Sequence, residues 1–250
     1  AARLRRENEE LRLRVGPETD LIGDSKAIRD VLQLVDRAAQ TNSRILISGP
    51  SGAGKEVVAR LIHERSQRAE GPFIVVNCAT MMPDRMEIEL FGTEVARDDS
   101  ENRRVGIFEA AHNGTILFDE ISDMPTETQG KIVRVLQEQV FERVGGSSRV
   151  EVDVRVMATT TKNLPDEIVA ARFREDLFYR LNVVPISVPP LNTFREDIPK
   201  LAEHFLTKAC ETAGQPTRKF GPDAIAALQC HDWPGNVREL RNVVERLMIL

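Results

Sequence analysis

The chain has 250 residues, 41% hydrophobic and 29% charged, with a formal net charge of −5. That length allows one large domain or two smaller ones, and the ordinary balance excludes a fibrous or disordered chain. The acidic excess excludes a global basic field for nucleic acid, and no apolar run approaches the roughly 20 residues of a membrane span.

In chain order, residues 1–15 are rich in Arg and Glu, with Leu4, Asn8, Leu11 and Val15 spaced like the seam of a short helix. Residues 1–16 are therefore expected to form a linker helix ended by Gly16 and Pro17. It either pairs with a second copy or lies solvated or docked on its own domain. From there to residue 190, apolar strand patterns alternate with helical ones. Strands are expected at Ile45–Ile47, Phe73–Val76, Thr115–Phe118, Val152–Ala158 and Val183–Val188. Helices are expected at Ala27–Ala39, Lys55–Ser66, Asp84–Phe91, Thr126–Gln139 and Pro165–Arg172. Such alternation predicts an α/β fold, a parallel sheet with helices on both faces. Phe141–Val144 and Arg149–Val152, joined by a Gly-Gly-Ser-Ser turn, read as a hairpin. After Pro189 and Pro190 only helical patterns remain, at Asp197–Ala213, Pro222–His231 and Asn236–Leu250. Residues 17–190 and 191–250 are thus expected to be an α/β unit and a small helical one. The start at Ala1 and the end within an amphipathic pattern read as a segment of a longer protein. No signal peptide is legible.

The strongest chemical signal is Gly49, Pro50, Ser51, Gly52, Ala53, Gly54, Lys55, Glu56 and Val57, between an apolar strand and a helix. Glycines let backbone N–H groups converge on phosphates, the helix N-terminus adds a favourable dipole, and Lys55 reaches the outer phosphates. Glu56 stands where a magnesium-binding Ser or Thr hydroxyl is usual. A second signal is the apolar run Thr115–Phe118 ending in Asp119 and Glu120. In a nucleotide hydrolase Asp119 would hold Mg2+ and Glu120 would orient or activate the attacking water. The three cysteines, Cys78, Cys210 and Cys230, lack metal-ligand spacing. They read as small buried residues of a reducing compartment, hence a cytoplasmic protein. The four histidines are scattered and read as structural or solvent-facing.

Further motifs run through the chain: Leu21-Ile22-Gly23, Asn77-Cys78-Ala79, Glu89-Leu90-Phe91-Gly92, Arg143 to Gly146, Phe173 to Asn182, and Asp232 to Leu240. With the phosphate loop and the acidic pair, they resemble the AAA+ domain of bacterial enhancer-binding proteins, the sigma-54-dependent transcription activators. The resemblance covers about residues 20–250 and implies a P-loop NTPase (AAA+) fold followed by a helical lid, with ATP or ADP and Mg2+ as ligands. It makes Glu56 usual. It implies that Ile22 and Gly23 line an adenine pocket and that Asn77 pairs with Glu120 until the site is assembled. Thr160 and Thr161 fall where a sensor reads the γ-phosphate, although Thr161 replaces the family's Asn. Arg174 and Arg180 match arginine fingers given to the neighbouring subunit, and Arg238 matches a second sensor on the lid. A finger supplied in trans requires a closed head-to-tail ring.

The chain departs from that family between Gly92 and Gly106. The Gly-Ala-Phe-Thr-Gly-Ala loop that contacts the sigma factor is replaced by Thr93 to Val105, with Arg97, Asp98, Asp99 and Glu101. Asn192 and Phe194 stand where arginines are usual. The lost loop is typical of a subgroup of nitrogen-regulation response regulators, the NtrX type. That implies a receiver domain, addressed by a sensor histidine kinase, before this segment and a helix-turn-helix DNA-binding domain after it. The expected protein is a homo-oligomer, a dimer at rest and a ring when active. In it, ATP binding and hydrolysis tune transcription without remodelling of sigma-54. The alternatives are a sigma-54 activator contacting its partner through Arg97–Asn102, and a nucleotide-holding module with negligible turnover.

Overall fold

A computed structural model describes residues 21–94 and 104–249. The seam at Leu4, Asn8, Leu11 and Val15 and the charged residues Arg97 to Glu101 lie outside the described residues. The chain opens with α1 (Lys26–Ala39), capped by the Ser25 hydroxyl, which accepts from the Ile28 N–H. There follow β1 (Ile45–Ser48), α2 (Lys55–Glu64), β2 (Phe73–Asn77), α3 (Pro83–Phe91), α4 (Ile107–Ala110) and β3 (Thr115–Asp119). Next come α5 (Thr126–Glu138), the antiparallel pair β4 (Val140–Glu142) and β5 (Arg149–Glu151), β6 (Arg155–Thr160), α6 (Leu164–Val169), α7 (Glu175–Leu181) and β7 (Val184–Ser187). Three further helices follow: α8 (Ile198–Thr212), α9 (Pro222–Cys230) and α10 (Asn236–Ile249).

Five strands form one wholly parallel sheet in the order β2-β3-β6-β1-β7. Helices cover both faces, so the strands read as apolar runs rather than alternating ones. The alternation survives as a choice of face. Ile116, Phe118, Val156 and Ala158 join one apolar cluster with Phe91, Phe108 and Phe141. Leu117 and Met157 join the other with Val35, Ile45, Ile47, Val58 and Ile62. A third cluster, around Leu191, Phe194, Ile198, Trp233, Leu240 and Val244, is the core of the helical segment. Leu21 and Ile22 pack against it, and Leu21 also packs against the second cluster, so the segment before α1 touches both parts.

The fold class is the expected one; element limits moved. β6 begins at Arg155 instead of Val152 and runs to Thr160. The Val152 N–H is taken by the Gln139 carbonyl beside the hairpin, so Val152 is not available to the sheet. α6 stops at Val169, followed by Ala171 at φ 56. Helices α4 and α7 were not legible as separate elements, because four and seven residues are too few to show a period. The small ladder docks on the body through Arg143, whose guanidinium makes a two-pronged pair with Glu109 at 2.7 and 2.9 Å.

His63 is buried beneath the sheet, with Nδ1 2.9 Å from the Thr115 hydroxyl oxygen. Burial pulls its pKa below the ordinary 6.5, against an opposing hydrogen bond to the Gly71 backbone. The native imidazole then binds its proton less readily than the unfolded one, and the unfolded state takes up more protons on acidification. Stability is expected to be full above pH 6.5 and to fall as pH drops below that value towards the depressed native pKa. Urea unfolding at pH 7.5 and 5.5 checks this: His63→Gln should remove the part of the pH dependence that wild type shows near neutrality.

Candidate active site

The parallel sheet delivers the C-terminal ends of β1, β2, β3 and β6 to one edge, the edge where open α/β sheets bind ligands. β1 ends at Ser48, paired with Thr160 of β6, and the phosphate loop follows directly. Gly54, at φ 97, is the N-cap of α2, and a Cβ there would meet nothing within 4 Å, so the cradle is open at that point. Gly52 serves another purpose: a Cβ on it would lie 2.2 Å from the Gly235 carbonyl oxygen of the helical segment. Lys55 is buried, and its Nζ donates to the Gly49 and Pro50 carbonyls at 3.0 and 3.3 Å. Glu56 turns away along α2 to accept from Arg60 Nε and Nη2, and so supplies no oxygen to the cradle. Val57 is half-buried at the third position of that helix.

The acidic pair lies beside Lys55. Glu120 Oε1 is 3.2 Å from Lys55 Nζ, while Oε2 accepts both the N–H and the hydroxyl of Thr161 at 2.9 Å. Its backbone is left-handed, φ 53 and ψ 56, a conformation that costs a non-glycine residue about 1 kcal/mol or more. The expected Asn77–Glu120 pair is not formed. The Asn77 amide donates instead to Asp119 Oδ2 at 3.4 Å, and its Oδ1 accepts from the N–H groups of Ala79 and Thr80. β2 pairs with β3 so that Asn77 stands opposite Asp119, one residue short of Glu120. Thr161 takes the restraining place. The Thr160 hydroxyl bonds within its own turn, accepting from the Lys162 N–H and donating to its carbonyl. Thr159, which the sequence reading passed over, donates to Asp119 Oδ1 at 2.7 Å and accepts the Glu120 N–H at 3.0 Å.

Among the described residues, no group of three or more His, Cys, Asp or Glu could hold a metal ion. A cation here would be completed by phosphate oxygens and water, the habit of Mg2+ at nucleotide sites. Cys78 adjoins the pair. Burial, with the charges of Asp119, Asp123 and Glu120, pushes its thiol up to about 12, so it stays protonated and unreactive. Cys210 is buried as expected, whereas Cys230 is exposed.

The helical segment closes over the phosphate loop. Arg238 donates to the Ser51 hydroxyl at 3.1 Å, and its N–H to the Gly52 carbonyl. Asn236, also absent from the sequence reading as a site residue, donates to the Ser51 carbonyl at 3.0 Å and accepts the Leu191 N–H at 2.9 Å. A cleft of about 280 Å³ between Ser51 and Gly235, Arg238, Glu239 and Arg246 marks this junction. Ile22 and Gly23 lie at the same junction: Ile22 packs on the helical core, and the next two N–H groups, of Asp24 and Ser25, donate to the Asp197 carboxylate. Arg174 and Arg180 are elsewhere. Arg174 makes a two-pronged pair with Asp176. The Arg180 carbonyl accepts from Arg44, which directly precedes β1, so α7 ends at the opposite edge of the sheet.

Residues 21–187 match the family described as Sigma-54 interaction domain, and residues 193–250 match the AAA+ ATPase lid domain. The chain belongs to the sigma-54 interaction domain family. Its relatives in the sigma-54 interaction family include the nitrogen assimilation regulatory protein NtrX of Azorhizobium caulinodans, 54% identical over 99% of this chain and 54% of that protein. The DNA-binding transcriptional regulator NtrC of Escherichia coli K12 is 45% identical over 94% of this chain and 50% of its own length. Crystal structures of NtrX from Brucella abortus superpose with TM-scores of 0.88 for its ADP complex and 0.87 for its ATP complex. The identities are 57% and 56%; 99% of this chain and 55% and 53% of those chains are covered. The chain thus spans about half the length of the relatives it matches.

Removal of Asn236 should loosen the closure without touching the sheet. Asn236→Ala leaves the Leu191 N–H and the Ser51 carbonyl without these partners, a loss of about 1–3 kcal/mol. Urea unfolding is expected to show that loss, with a lowered or biphasic slope as the helical segment uncouples.

Proposed function

We propose that residues 17–190 and 191–250 are the nucleotide-binding core and lid of an ATP-hydrolysing module from a response regulator that controls transcription. The observation that carries this reading is the placement of Glu120 between Lys55 and Thr161 at the mouth of an open phosphate cradle. The Brucella abortus NtrX complexes with ADP and with ATP support nucleotide as the ligand. Backbone N–H groups of Gly52 to Lys55 would hold the phosphates, and Lys55 would shift from Glu120 to the outer phosphates. Asp119 would hold Mg2+ through one oxygen, directly or through water. The ion would neutralise charge developing on the phosphates. Glu120 would then accept a proton from the attacking water. Ile22 and Gly23 would flank the base, and Arg238 would couple the lid to the nucleotide through Ser51.

The geometry also supports a second subunit. Arg180 belongs to a helix that ends at the N-terminal edge of the sheet, while the cradle follows its C-terminal edge. Four residues of β1 at about 3.3 Å each put the two edges on the order of 13 Å apart. Neither Arg174 nor Arg180 serves its own cradle in this reading; each reaches the cradle of a neighbour. Val169, Tyr179 and Val183, which are 89%, 68% and 52% exposed, supply apolar surface beside them for a head-to-tail contact. DNA binding through a following domain, control by a sensor kinase through a preceding one, and a resting dimer belong to the same proposal. So does an output that does not remodel sigma-54, since the partner-contact loop motif is missing between Gly92 and Gly106.

Turnover per subunit is expected to rise steeply with protein concentration, and flat specific activity would rule out the finger-in-trans reading. Arg174→Ala and Arg180→Ala should each lower kcat by about 10³-fold or more at unchanged ATP affinity. Glu120→Gln should keep ATP binding and lose hydrolysis, whereas Lys55→Ala should lose binding. Thr161→Val should change kcat and leave the ADP Kd in place. In a promoter assay with sigma-54 holoenzyme, no ATP-dependent open complex is expected; its formation would overturn the clause on remodelling.

A further inference from the structure

Thr159 is buried at the end of β6, in the strand that separates β1 from β3, and its hydroxyl has two partners of opposite kind. The Glu120 N–H points to it at 3.0 Å, which occupies a lone pair. The single hydroxyl proton is left for Asp119 Oδ1, at 2.7 Å. The direction of the chain N–H(120) to Oγ1(159) to carboxylate(119) is therefore fixed, with no rotamer of the O–H competing. The bond to a carboxylate is of the short, charge-assisted kind. It commits Oδ1, while among the described residues Oδ2 receives only the long contact of 3.4 Å from Asn77. The same hydroxyl satisfies the N–H of a residue held in the left-handed region. One side chain thus orients the candidate cation carboxylate and secures the turn that presents the candidate base. Thr161, two residues on, holds the other end of Glu120.

We propose that Thr159 is the positioning residue of the divalent-cation site: it fixes Asp119 so that Oδ2 faces the cation and its water shell, and it ties that orientation to the Glu120 turn. The inference rests on the nucleotide-site reading above. Groups that orient a metal ligand from behind are worth about 10- to 100-fold in metal affinity. Sequence patterns do not reveal such a group, since a threonine at a strand end reads as a strand former.

The test is Mn2+ binding to the ADP-saturated full chain, with free Mn2+ counted by electron paramagnetic resonance. Thr159→Val, which keeps the shape and removes the hydroxyl, should weaken Mn2+ about tenfold or more. Its affinity for ADP without metal should stay at the wild-type value. Thr159→Ser, which restores the hydroxyl, should return Mn2+ affinity close to wild type. If Val is not tolerated at this buried position, Thr159→Ser against Thr159→Ala makes the same comparison with the hydroxyl as the only difference. Unchanged Mn2+ affinity in the variants without the hydroxyl overturns the proposal. So does an equal loss of metal-free ADP binding, which marks a merely structural role, or a wild type whose ADP complex takes up no Mn2+. A wild type that binds Mn2+ with ADP, responds to Thr159→Val, and yet does not turn over ATP sinks the hydrolysis reading and leaves this one standing.

Discussion

The double pairing of β6 is the constraint on which the rest of the molecule depends. Flanked by β1 and β3, it sets Ser48 opposite Thr160 on one side and Phe118 opposite Ala158 on the other. That register brings the strand before the phosphate loop and the strand before the acidic pair to the same level. A slip of one residue would exchange Val156 and Ala158 with Met157 between the two apolar clusters. It would also carry Thr159 away from Asp119. Packing of the core and alignment of the site are therefore one condition, enforced by the burial of all six residues of the strand.

Polar chemistry at the edge of the sheet is arranged by short, directional contacts rather than by exposed charge. Lys55 is satisfied by two loop carbonyls and by Glu120, and Glu120 by Lys55 and Thr161. Each of these bonds occupies a group that phosphate or water would otherwise use. In a partly buried setting such contacts are stronger than at the surface, and an unpaired member would be costly. In the proposed function these groups would exchange partners when phosphate enters. Glu56, by contrast, is spent in a helix-surface pair with Arg60, which explains physically why it takes no part.

The helical segment is fastened to this edge by backbone as much as by side chain. Trp233 and Asn236 both take left-handed conformations, and each is compensated. The Trp233 ring N–H donates to the Leu228 carbonyl, and Asn236 bridges Ser51 and Leu191. Between them Gly235 comes so close to Gly52 that no side chain fits. The lid thus contacts the phosphate loop at Ser51 and Gly52. Arg180, near the end of α7, lies beside Arg44 at the far edge of the sheet, and Arg174, the residue before α7, is held in its pair with Asp176.

Much of the architecture was legible in the sequence because it follows from periodicity and turn chemistry. Apolar runs at Ile45, Phe73 and Thr115 dictated strands, prolines and glycines marked helix starts, and the spacing of Gly49, Gly54 and Lys55 demanded a phosphate cradle. Asp119 and Glu120 and the separation of a helical tail were likewise visible as local patterns, whereas Arg238 came from the family resemblance. What the tertiary structure alone decided was who meets whom. Asn77 pairs with Asp119 instead of Glu120, Thr161 restrains Glu120, and Thr159 and Asn236 become site residues. Those pairings depend on the register between strands far apart in the chain and on the docking of one unit against another. Local composition carries no record of either, because a hydrogen bond is set by tenths of an ångström between surfaces that only the folded chain brings together.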